Sequence, residues 1–162
     1  MTVLVTGASG CVGSNIIAEL LHRGHQVIAF HRGHSNLTAL EGLSVDHRIG
    51  DTRDKESVKK AIEGCNAVIH TAAIVAFWKL RRQEQLDVNV GGTRNVVEAC
   101  CEAGIRKLVH TSSVAAIGFR TDGQPSDELT EYNWGSDNGY RYSKHLSELE
   151  VLKGVERGLA AC

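Results

Sequence analysis

The sequence predicts an α/β fold, a parallel sheet doubly wound by helices in three layers, and three observations carry that prediction. Short β-branched runs alternate with longer amphipathic stretches along the chain, the pattern of strands joined by crossover helices. The first such run leads directly into a glycine-rich turn and then a helical stretch. The 162 residues, 42% of them hydrophobic, make one ordinary domain with enough apolar surface for a substantial core.

Thr2 to Thr6 (Thr-Val-Leu-Val-Thr) is the first predicted strand. A helix follows from about Cys11 to Arg23, with Val12, Ile16, Ile17, Leu20 and Leu21 near one face and Gly24 as its stop. Gln26 to Phe30 is the second strand, Ser44 to Ile49 the third and Ala67 to His70 the fourth. Between the last two, Asp54 reads as the N-cap of a helix reaching Glu63, closed by Gly64. A long helix from about Gln83 to Ala103 carries Leu86, Val90, Val96, Val97 and Ala99 and ends at Gly104. Lys107 to Thr111 is the fifth strand. The polar segment from Ser112 to Asn138 holds the only proline, Pro125, and is too long for a simple connection, so it reads as functional or lid-like. The last helix runs from about Gly139 to Arg157, and Gly158 to Cys162 opens a further strand. The expected architecture is Rossmann-like and incomplete at its C-terminus.

Composition narrows the partners. Lys and Arg number 18 against 19 Asp and Glu, a net charge of -1, which lacks the broad positive footprint of a nucleic-acid binder. A small-molecule partner is expected. The N-terminus lacks a basic leader, and no segment approaches the roughly 20 apolar residues that span a bilayer; a soluble, cytoplasmic protein without a membrane partner is expected. The five cysteines form no C-x-x-C pair and suit reduced thiols, with at least one of Cys100 and Cys101 in the core. The eight histidines form no H-E-x-x-H or similar constellation, so no metal site is expected.

Gly7, Gly10 and Gly13 lie between the first strand and the first helix. Glycine permits the tight turn and lets backbone approach a pyrophosphate, whose charge meets the free N–H groups and the positive helix end. The spacing is G-x-x-G-x-x-G, and an ordinary glycine-rich β–α turn is the plain alternative. At the end of the second strand, where an acid would take a ribose 2′-hydroxyl, the chain reads Phe30-His31-Arg32. A guanidinium there pairs with a 2′-phosphate, which favours NADP over NAD; a solvated surface charge is the alternative.

Tyr140 and Lys144 stand four residues apart on a predicted helix and so share one face. A phenol near pKa 10 must lose about three units, roughly 4 kcal/mol, to work near neutrality. One ammonium at about 4 Å and an effective dielectric near 20 supplies about that much. Thr111-Ser112-Ser113 end the fifth strand at the carboxyl edge where open α/β sheets place ligands. A serine hydroxyl there can polarise a substrate oxygen while Tyr140 moves its proton. No G-x-S-x-G elbow points to a hydrolase. The basic stretch Lys79-Leu80-Arg81-Arg82 beside Trp78 suits either an anionic substrate or a solvated helix entrance.

With these residues assembled, the chain resembles the extended branch of the short-chain dehydrogenase/reductase superfamily. The resemblance rests on Thr6-Gly-Ala-Ser-Gly-Cys-Val-Gly13, Gly50-Asp-Thr-Arg-Asp54, His70-Thr-Ala-Ala73, Asn89-Val-Gly-Gly-Thr-Arg-Asn-Val96, Thr111-Ser-Ser113 and Tyr140-Arg-Tyr-Ser-Lys144. It implies a cofactor site of Gly7, Ser9, Gly10, Cys11, Val12, Gly13, Arg32, Asp51, Thr52, His70, Ala72, Ala73, Asn89, Thr111, Tyr140 and Lys144. Asp51 and Thr52 would lie by the adenine, Ala72 and Ala73 would line the cofactor, and Lys144 would hold the nicotinamide ribose. It also implies catalysis by Ser113, Tyr140 and Lys144 with Asn89 in support. Asp51 as a turn residue, His70 as a core histidine and Asn89 as a helix hydrogen-bonder are the plain readings.

The opening and Arg32 are similar to the dihydroflavonol-4-reductase group within the NAD-dependent epimerase/dehydratase family, with Cys11 where an aromatic is usual. Such proteins are about twice this length, so an N-terminal fragment lacking its substrate domain is expected. The expected function is an NADP-dependent reductase or dehydrogenase of a ketone/alcohol pair. An NAD-dependent nucleotide-sugar epimerase or dehydratase and a non-catalytic cofactor-sensing regulator are the alternatives, and a homodimer is left open.

Overall fold

Among the described residues, five parallel strands form one sheet: β1 (Thr2–Thr6), β2 (Gln26–His31), β3 (Asp46–Ile49), β4 (Ala67–His70) and β5 (Lys107–His110), in the spatial order β3-β2-β1-β4-β5. The computed structural model describes residues 1–76 and 81–162. Val3 of β1 stands opposite Val27 on one side and Ala67 on the other. The chain thus winds outward from β1 in both directions, and the crevice at the carboxyl ends of β1 and β4 is the switch point where such sheets bind ligands. This is the Rossmann-like, doubly wound arrangement. The predicted further strand appears as a parallel bridge between Leu108 and Ala161, with His110 N–H donating to Cys162 O at 2.8 Å.

The period-2 alternation of strand side chains divides the core in two. Val3, Val5, Val27 and Ala29 pack on one face with Ile17 of α1 (Cys11–His22) and Leu40. Leu4, Ile28, Val68 and Leu108 pack on the other with Val58 and Ile62 of α2 (Lys55–Ile62) and with later helices. Asp54 caps α2 as expected, its side chain accepting from Glu56 N–H at 3.1 Å.

The predicted single helix across Gln83 to Ala103 is more complex. α3 (Arg82–Gln85) runs into a π-helical segment (Leu86–Gly91) and then α4 (Gly92–Glu102). Val90, Val96, Val97, Ala99 and Cys100 are buried, but Leu86 is only half-buried and Gln85 takes the interior position beside it. The reason is a hydrogen bond from Gln85 Nε2 to Ala76 O at 2.6 Å, which satisfies a buried amide that apolar periodicity overlooks. Val12 also departs from the expected apolar face, for it is 51% exposed.

The segment from Ser112 to Asn138 contains a 3-10 turn (Val114–Ala116) and folds back on itself. Asn133 bonds both backbone groups of Phe119 at 2.9 Å, and the Phe119 and Trp134 rings pack 4.6 Å apart. It leads into α5 (Gly139–Glu156), capped by Asn138, whose side chain accepts from Arg141 N–H at 3.2 Å. Of the basic stretch, Arg81 pairs with Glu84 at 2.8 Å, while Trp78, Lys79 and Leu80 lie outside the described residues. Among the described residues, no helix is long and apolar enough to cross a membrane.

Candidate active site

Two adjoining cavities follow the carboxyl edge of the sheet, and Gly7, Gly10, Thr71 and Ala73 border both. The turn after β1 makes their shared floor. Gly7 has φ +66°, and a Cβ there would meet Ala72 N at 2.7 Å. A Cβ on Gly13 would lie 2.3 Å from Gly7 O, so α1 packs directly against the turn that precedes it. Gly10 caps α1 without a side-chain hydrogen bond, which leaves that helix end suited to an anion.

Ser9, Arg32, Asp51, Thr52 and Ala72 border the first cavity. Arg32 is exposed at the end of β2. Behind it, the buried His31 has Nδ1 3.0 Å from Arg32 O and Nε2 3.0 Å from His47 Nδ1. A carbonyl only accepts, so Nδ1 of His31 carries the hydrogen and His47 donates to Nε2. Asp51 grips Arg53 through both carboxylate oxygens, at 3.1 and 2.7 Å. That hydrogen bond, opposed by partial burial, holds the Asp51 carboxyl below its usual range, with a smaller contribution from Arg32. Thr52 is buried, and Asn95 fixes its carbonyl at 2.9 Å.

Cys11, Val12, Gly13, Thr111, Ser113, Tyr140 and Lys144 border the second cavity. The exposure of Val12 follows from this position. Ser113 Oγ accepts from Ala115 N–H at 3.2 Å, which leaves its hydrogen to donate. Lys144 is 3% exposed and donates to Thr111 O at 2.7 Å. Burial pulls its pKa down to about 8, and the carboxylate of Glu148 limits the fall.

His70 and Asn89 do not border either cavity and lie behind the cleft wall. Both are 1% exposed with their polar atoms engaged in the core. Thr93 donates its hydroxyl to Asn89 O at 2.6 Å, so its oxygen accepts from His70 Nε2–H at 3.0 Å. Nδ1 of His70 then accepts from Thr6 Oγ1 at 2.6 Å, and Thr6 Oγ1 accepts from Ala72 N–H at 3.4 Å. Asn89 binds Ile74 N and O, at 2.7 and 3.0 Å, and donates to Ser143 Oγ at 2.9 Å. It thereby ties the cavity wall to the helix of Tyr140. Thr71 and Ile74 also border the cleft and were not singled out from the sequence, although Thr71 lies inside the motif His70-Thr-Ala-Ala73. Among the described residues, no group of three or more His, Cys, Asp or Glu side chains forms a metal-binding cluster.

Burial drives the pKa of His70 well below the usual imidazole range and that of His110 down to about 3. The unfolded chain protonates these rings first, so stability is lost as pH falls from 6.5 toward about 3. The share of His110 in that loss is at most about 5 kcal/mol. Urea midpoints at about pH 7 and about pH 4.5 check it: the acid midpoint is expected to be clearly lower, and equal midpoints would refute the prediction.

Residues 4–161 match the 3-beta hydroxysteroid dehydrogenase/isomerase family. The chain is 42% identical over 159 residues to sterol demethylase protein B of Methylococcus capsulatus, covering 98% of this chain and 48% of that protein. It is 38% identical over 155 residues to a putative dihydroflavonol 4-reductase of Synechocystis, covering 95% and 45%. Among solved structures, UDP-glucose 4-epimerase of Thermus thermophilus in complex with NAD superposes with a TM-score of 0.84 at 30% identity, covering 99% of this chain and 53% of that one. The chain spans about half the length of the curated relatives it matches.

Proposed function

The chain belongs to the 3-beta hydroxysteroid dehydrogenase/isomerase family, and from that premise we propose that it carries the cofactor and proton-transfer groups of an NADP-dependent ketone/alcohol oxidoreductase. The observation that carries the proposal is that Ser113, Tyr140 and Lys144 border the same cavity as Gly7, Gly10 and Gly13. The residues fit a dinucleotide. The turn admits no Cβ at Gly7 or Gly13, and the cleft continues to the basic Arg32.

In this reading Gly10 and the start of α1 hold the pyrophosphate, Asp51 and Thr52 flank the adenine, and Lys144 holds the nicotinamide ribose. When bound, the reduced nicotinamide supplies hydride to a carbonyl carbon. Ser113 donates a hydrogen bond to the carbonyl oxygen and Tyr140 protonates it, with the charge of Lys144 favouring the phenolate that remains. Asn89 and His70 position the wall and the helix. The substrate-binding part belongs, in the same proposal, to a further domain. Loss of NADPH against a panel of ketones, measured on the chain together with that further domain, tests the activity; binding without oxidation there would instead favour a cofactor sensor.

Arg32 is proposed to select NADP by pairing with its 2′-phosphate. Arg32→Asp is expected to weaken NADPH binding roughly 10–100-fold while changing NADH binding little. Titration of both cofactors checks this, and an unchanged preference would remove Arg32 from the assignment. The structural likeness to a UDP-glucose 4-epimerase in complex with NAD favours a second reading, internal hydride return on a nucleotide sugar. Tightly held NAD that co-purifies and does not exchange would select it.

A further inference from the structure

Behind Lys144 the core holds an imidazole that the proposed hydride chemistry does not use. His110 ends β5, and its Nε2 faces two unlike groups, Lys144 Nζ at 3.4 Å and Ser147 Oγ at 3.3 Å. Ser147 gives its hydroxyl hydrogen to Lys144 O at 2.8 Å, so it offers His110 an oxygen lone pair. An ammonium offers only hydrogens. Nε2 therefore suits the charged lysine when bare and suits Ser147 when it carries a hydrogen. The other ring nitrogen, Nδ1, is buried with no hydrogen-bond partner among the described residues.

We propose that His110 is a positioning residue whose tautomer follows the charge of Lys144, Nδ1–H beside the ammonium and Nε2–H beside the neutral amine. When Lys144 gives up its proton through the cleft, the ring releases one proton at Nδ1 and gains one at Nε2. Its charge is unchanged, and the net loss is the single lysine proton. With the ammonium present, Nδ1–H is a buried donor without an acceptor, a state that costs free energy. With the amine neutral, Nε2–H donates to Ser147 and Nδ1 keeps only a lone pair, so the unpartnered buried donor is gone. His110 thus biases Lys144 toward releasing its proton.

The other titratable groups around this pair do not supply the same change. Tyr140 and Glu148 stand four residues before and after Lys144 on its own helix, and Glu148 accepts a hydrogen bond from Ser112. From β4, the ring of His70 lies 5.3 Å from that of His110, but its tautomer is fixed by Thr6 and Thr93. Burial keeps the His110 ring neutral down to about pH 3 and brings Lys144 to about 8, so the two titrations stay separate.

The proposal rests on Lys144 belonging to the proton-transfer site, yet it is measured without cofactor or turnover. Long-range 1H–15N spectra of the full chain report which imidazole nitrogen is protonated, and His110→Gln identifies the signals. The expected result is Nδ1–H about 1.5 units below the Lys144 titration and Nε2–H about 1.5 units above it. Lys144→Met is expected to show Nε2–H throughout. One tautomer at all pH values in the unmodified chain would overturn the proposal, as would Nδ1–H in the methionine variant. A change of tautomer in a protein that proves inactive on ketones would leave this inference standing and remove the oxidoreductase reading.

Discussion

Tyr140→Phe is expected to lower kcat by roughly 10²–10⁴-fold while leaving NADPH affinity within about threefold. Phenylalanine keeps the ring and removes only the hydroxyl that gives and takes the substrate proton. The rest of the site stays in place, because Asn138 caps α5, Asn89 holds Ser143, and Lys144 keeps its bond to Thr111 O at 2.7 Å. Steady-state kinetics with a fluorescence titration of NADPH separates the two effects. Full turnover in the variant would show that another group moves the proton; equal loss of turnover and cofactor affinity would show damage to the cleft as a whole.

Gly13→Ala is expected to weaken NADPH binding at least about 100-fold and to lower stability by about 1–3 kcal/mol. The new Cβ would stand 2.3 Å from Gly7 O and 2.9 Å from Gly7 C. Both are backbone atoms, so no side chain can swing aside. Either α1 backs away from the turn or the turn opens, and each displaces the helix end proposed to meet the pyrophosphate. Cofactor titration together with a thermal melt checks the prediction. A variant that melts lower yet binds NADPH normally would detach the turn from the cofactor; one that is unchanged in both would contradict the close approach itself.

The elements set by local signals were legible in the sequence. β1 and β4 lie where their β-branched runs placed them, and Asp54 caps α2 with the bond its position suggested. The glycine turn, Ser113, Tyr140 and Lys144 could also be placed at one sheet edge, because strand ends and helical i, i+4 spacing are short-range geometry.

What the sequence hid depends on partners distant along the chain. The π-helical segment Leu86–Gly91 does not disturb the apolar pattern around it, and Gln85 is buried for a carbonyl nine residues away. His70 and Asn89 are buried, and their polar partners, Thr6 and Thr93 for His70 and Ile74 and Ser143 for Asn89, come from segments distant along the chain. The His31–His47 pair joins two strands sixteen positions apart. The length and polarity of the segment from Ser112 to Asn138 read as functional or lid-like, and its internal bonds from Asn133 and Trp134 to Phe119 and Ile117 were not legible in that composition.

The central claim is net hydride transfer to a carbonyl at the site of Tyr140. NADPH deuterated at the transferable nicotinamide position, offered with a panel of ketones, tests it most directly. The predicted result is one deuterium on the carbinol carbon of the product for each NADPH oxidised. Cofactor that binds while no product carries deuterium would contradict it, as would turnover of a sugar nucleotide with no net oxidation of the cofactor.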